Sequence, residues 1–74
     1  MSKKRELKRA IKESEKEIEI LEMKRVRSQS ALMEAHVNNE PPKASDVEYF
    51  KIYSNLIELE RQNLRQLKSE LEKL

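Results

Sequence analysis

A single histidine, no cysteine and fourteen acidic side chains are the raw material for metal or acid–base chemistry in this chain. His36 would need further ligands at metal spacing, and the neighbouring Glu34 and Glu40 do not supply it. At the end of a helix a histidine is favoured by the helix dipole alone. Most carboxylates belong to Glu with Lys or Arg three or four residues away, the pattern of a solvated helix face. Without glycine there is no phosphate-cradling loop, and no nucleophile has a base and an orienting group at motif spacing. The expectation is a protein that is not an enzyme, with no metal, cofactor or small-molecule substrate.

Charge is the remaining candidate. Residues 1–16 carry seven Lys or Arg against three Glu, whereas residues 45–59 carry Lys51 against Asp46, Glu48 and Glu58. Lys3, Lys4, Arg5, Lys8, Arg9 and Lys12 could line a phosphate backbone, because neutralising phosphates needs only accessible cations. Base stacking is not expected, since no aromatic residue accompanies them. Positive charge in the first turns of a helix opposes the dipole, so these side chains do not serve helix stability. The competing reading is a solvated chain end.

Helices must carry these groups. Charged residues make up 41% of the 74 and hydrophobic ones 36%, with no Gly, Cys or Trp, which favours long surface-rich helices over a compact mixed fold. A domain of this size buries only ~60% of the surface its unfolded chain exposes, so its own core is marginal and help from a partner is expected. No disulfide can form. No apolar run reaches the ~20 residues of a membrane span and no signal-like apolar core follows the N-terminus, so a soluble cytoplasmic protein with no membrane partner is expected.

One stretch reads as a turn. Asn38 and Asn39 tolerate the left-handed conformation that ends helices, and Pro41-Pro42 cannot propagate one. Ser45-Asp46-Val47-Glu48 then matches a capping box. A start with the prolines inside the first helical turn is the other option. The pattern predicts one all-α domain over residues 1–74, with helices at 3–38 and 46–74 and a turn at 39–45.

Both helices carry a heptad seam: Leu7, Ile11, Ser14, Ile18, Leu21, Arg25, Ser28, Leu32 and Ala35 on the first, and Phe50, Tyr53, Ile57, Glu60, Leu64, Leu67, Leu71 and Leu74 on the second. Folding back at the prolines predicts an antiparallel two-helix coiled-coil hairpin in which Ser14 meets Leu71, Leu21 meets Leu64 and Ser28 meets Ile57. Arg25 then meets Glu60 as a register-setting polar pair. In this register Ile11 meets Leu74, and residues 1 to about 10 project as a basic overhang.

Outside the seam a second apolar stripe is confined to the turn-proximal half: Ile20, Met23, Val26, Met33 and Val37 on the first helix, Tyr49, Ile52, Leu56 and Leu59 on the second. A hairpin sufficient to itself would be polar there. An exposed band of this kind predicts cover, most simply by a second copy in a homodimeric four-helix bundle, or by a helix of another protein. In layout the chain resembles the Rop family of small dimeric RNA-binding four-helix bundles; no residue motif of that family is present, and no function is carried over from it. The expected function is a protein–protein interaction module, an adaptor, assembly factor or inhibitor of a larger protein. The alternative is a nucleic-acid-binding regulator that uses the basic N-terminus.

Overall fold

The computed structural model describes residues 2–74, which form two helices, α1 (Lys3–Val37) and α2 (Ala44–Glu72), packed as an antiparallel hairpin measuring 55 × 16 × 14 Å. No strand occurs among the described residues. The rod is about as long as α1 itself, since 35 residues rising ~1.5 Å each span about 52 Å. α1 starts at Ser2, whose hydroxyl accepts a hydrogen bond from the Arg5 backbone N–H at 3.2 Å and satisfies one of the helix's orphan donors.

The turn closes as the asparagines predict. Asn39 adopts φ 55°, its N–H donates to the His36 carbonyl at 3.1 Å, and the Glu40 N–H donates to the Ala35 carbonyl at 2.9 Å. Together these form a Schellman motif, with Asn39 taking the left-handed residue that glycine usually supplies. α2 differs from expectation at its start. Lys43 is the N-cap, with no side-chain capping bond, and Ala44 is the first helical residue. Ser45 therefore lies inside the first turn and forms no capping box, while both prolines precede the helix. Asp46 meets the dipole there instead, as an acidic residue in the first turn.

The seam uses the residues expected of it, but in a different pairing. Leu7, Ser14, Leu21 and Ser28 are the buried residues of α1, and Ile57, 1% exposed, is the most buried residue of α2. The Ser14 hydroxyl donates to the Glu60 carbonyl at 3.5 Å, and Ser14 shares a groove with Asn63 and Leu67. Leu21 lies beside Leu56, Leu59 and Glu60, and Ser28 beside Tyr49 and Tyr53. Each α1 residue thus meets α2 about one heptad nearer the turn than the register that sets Ser14 on Leu71 and Leu21 on Leu64.

That shift corrects two expectations. The N-terminal residues do not overhang: Leu7 is only 7% exposed, and α2 is the only element that can cover it. Residue 1 of the expected overhang lies outside the described residues. Nor do Arg25 and Glu60 pair. Among the described residues the ion pairs are Arg61–Glu22 at 3.1 Å between the helices and Arg65–Glu58 at 3.5 Å along α2, while Glu60 accepts from the Asn63 amide at 3.0 Å. The physical reason is that a heptad pattern repeats under a seven-residue slip, so hydrophobicity alone leaves such registers nearly equivalent. The turn decides between them. With α1 ended at Asn38 by the Schellman closure and α2 begun early at Ala44, the first turn of α2 comes down beside Ala31, Glu34 and Ala35.

Candidate interaction surface

A seam this narrow buries little. Three hydrophobic side chains are buried, Leu7, Leu21 and Ile57, and the other seam leucines and isoleucines within the helices are half-covered. Buried Ser14 and Ser28 are small enough to bring the two backbones close, which tightens the interface but adds little apolar area.

The large apolar residues left in solvent are the second stripe. Ile20, Met23, Val26, Met33, Val37, Tyr49, Ile52, Leu56 and Leu59 are all exposed, and among the described residues only Leu74 joins them from the distal end of the rod. They do not form one band. At about 100° per residue, Met23, Val26, Met33 and Val37 fall within an arc of about 80° on α1, roughly 150° from the buried Leu21–Ser28 line, and so face away from α2. Tyr49, Ile52, Leu56 and Leu59 fall within a similar arc on α2, roughly 120° from Ile57, on a flank of the seam. This flank borders α1 through Glu17 beside Leu56 and Leu59, and through Lys24 and Arg27 beside Tyr49. None of the four α1 strip residues lines those grooves. Ile20, one turn beyond Glu17, belongs with the α2 flank.

The Tyr49 and Tyr53 rings stack at 6.3 Å, which carries the flank into the seam without a break. On α1 the strip includes a residue that hydropathy conceals: Ser30 falls between Val26 and Met33, so positions 23, 26, 30, 33 and 37 keep the alternating three-and-four spacing of a second heptad seam. The spacing was the signal; the hydroxyl masked it.

The basic residues are placed differently from an overhang. Lys3, Lys4, Arg5, Lys8, Arg9 and Lys12 are exposed on a helix anchored by Leu7, and Lys4, Arg5 and Lys8 line a shallow surface depression with Ser2. His36 is exposed in the last turn of α1. Among the described residues no three His, Cys, Asp or Glu side chains gather as metal ligands, and no helix is long and apolar enough to cross a membrane. The inter-helix ion pair that does form, Glu22 with Arg61, flanks the seam, and its opposite charges become readable as partners only once the register is known.

The chain matches no protein-family model, no curated protein and no solved structure.

Proposed function

We propose that this chain is a non-enzymatic protein–protein interaction module of the cytoplasm, a helical hairpin that self-associates and acts as an adaptor, assembly factor or inhibitor of a larger protein. The observation that carries this reading is the row of exposed large apolar side chains between Ile20 and Leu59, set on a hairpin whose own core is one side chain wide. Removing apolar surface from water is favourable by ~25 cal/mol per Å², so covering these side chains favours association. Changing Met33 and Leu56 together to Glu touches both apolar surfaces. The expected result is a fall from oligomeric to monomeric mass by light scattering with helical circular dichroism retained; a wild-type chain that is already monomeric at high micromolar concentration sinks the reading.

A second reading rests on the exposed basic row at the start of α1, held in helical form above buried Leu7. In it Lys3, Lys4, Arg5, Lys8, Arg9 and Lys12 bind phosphates of a nucleic acid. Affinity for duplex RNA or DNA would then fall steeply with salt, at a log–log slope of about −0.9 per phosphate neutralised. Binding that survives Ala at Lys4, Arg5, Lys8 and Arg9 removes this alternative.

A further inference from the structure

The two apolar surfaces differ in whether they match themselves, and this decides what covers one of them. On α2 the flank positions continue in heptad spacing as Ser45, Tyr49, Ile52, Leu56, Leu59 and Asn63. Laid antiparallel against the same row of a second copy, they form layers of Tyr49 on Leu59 and Ile52 on Leu56, each occurring twice by symmetry. At both ends Ser45 then meets Asn63. Apolar residues meet apolar ones, and hydroxyls meet amides. A slip of one heptad in one direction sets Tyr49 on Gln66 and Ile52 on Asn63; in the other it sets Leu56 on Ser45 and carries Leu59 past the start of the partner helix at Ala44. Both set polar groups against hydrocarbon, where each loses water without gaining a hydrogen-bond partner.

The outer strip of α1 has no such register. Its antiparallel alignments keep Ser30 in the seam; one sets Val37 against Glu19, and the other carries Met23 past the end of the partner helix at Val37. Parallel pairing of α1 stacks Lys12, Lys16 and Glu19 each on its own copy, like charge on like. The α2 flank is also the surface continuous with the hairpin's seam, so covering it extends one core instead of starting another.

We propose that two copies of this chain pair through α2, antiparallel, with Tyr49 against Leu59 and Ile52 against Leu56 of the second copy, about a two-fold axis midway between Ile52 and Leu56. Asn55 then flanks the axis opposite its own counterpart, where two amides can each donate and accept. This arrangement rests on the interaction-module reading and deepens it: the outer strip of α1 stays free on both faces of the dimer.

The absence of cysteine makes the test clean. Tyr49→Cys and Leu59→Cys chains are prepared separately, then mixed and oxidised at micromolar concentration. In the proposed pairing position 49 lies about 15 Å along the axis from position 49 of the other copy, beyond disulfide reach, while positions 49 and 59 are adjacent. The expected result is that the 49–59 disulfide dominates the mixture and each variant alone stays uncrosslinked. Crosslinking of Tyr49→Cys with itself means parallel helices and overturns the proposal. A dimer by mass that crosslinks only between Val26→Cys and Val37→Cys assigns pairing to α1, overturning the proposal while the interaction-module reading stands. A monomer by mass overturns both. Tyr49 and Leu59 are half or more exposed, so neither substitution threatens the hairpin, and circular dichroism verifies its fold.

Discussion

Towards the turn, α2 carries Tyr49, Ile52, Leu56 and Leu59 on its flank, whereas the same heptad positions beyond Leu59 are Asn63, Gln66 and Glu70. α1 repeats the contrast. Its outer positions are Met23, Val26, Ser30, Met33 and Val37 near the turn, but Lys12, Lys16 and Glu19 further away. The seam itself runs the full length, from Leu7 through Leu21 to Ser28. One helix pair thus contains two designs. The distal half is apolar only where the helices touch each other, while the proximal half is apolar on a second line as well. Folding back therefore needs only the seam, and the added apolar residues lie outside what the hairpin itself requires.

The largest test of this contrast is within the seam. Ile57→Ala empties the most buried position of the molecule, in a core only one side chain wide. A loss of about 3–5 kcal/mol is expected, comparable with the whole stability of a chain this size, so urea titration should find the variant largely unfolded. Leu7→Ala removes a side chain buried near the distal end of the rod, where fewer neighbours surround it, and should cost about 2 kcal/mol, the lower end of such substitutions. Equal losses would mean that the distal seam holds the hairpin as firmly as the proximal one, and the division into halves would then apply to the surface alone.

A smaller effect is expected at the turn that sets the halves in register. Asn39 sits at φ 55°, a conformation that costs an ordinary L-residue about 1–2 kcal/mol and an asparagine less. Asn39→Ala should therefore destabilise by about 1 kcal/mol and Asn39→Gly should stabilise slightly, both read as shifts in the denaturation midpoint with unchanged slope. If Asn39→Ala is neutral, the Schellman closure does not fix where α1 ends.

What could be read in the chain follows from which forces have a sequence period. Helix faces do, so the all-helical hairpin, the seam residues and the exposed apolar positions from Met23 to Leu59 are legible in the order of residues alone. The left-handed Asn39 is too, because few residue types tolerate it. Register is not. Leu21 fits opposite Leu64 or opposite the Leu56–Leu59 turn equally well by hydropathy, and an apparent charge match between Arg25 and Glu60 favours the wrong layer. The choice depends on whether α2 starts at Ala44 or after Ser45, a matter of about 1 kcal/mol in capping that no periodicity reports. The division of the apolar stripe into two surfaces is likewise hidden, since it requires knowing which flank of each helix faces the other.

The smallest effect expected is also the one that reports register most directly. Glu22 and Arg61 pair at 3.1 Å with both side chains more than two-fifths exposed, so solvent screens them and the pair is worth about 0.5 kcal/mol or less. A double-mutant cycle over Glu22→Gln and Arg61→Gln should return a coupling of that size which vanishes near 1 M salt, where charges are screened within about 3 Å. The same cycle over Arg25→Gln and Glu60→Gln should return none, because Glu60 is engaged with Asn63 and its backbone faces Ser14. Coupling in the second cycle and none in the first would slide α2 by a heptad. It would place Ser14 against Leu71, withdraw cover from Leu7 and turn the basic start of α1 into a free end, changing which half of the rod is available to a partner.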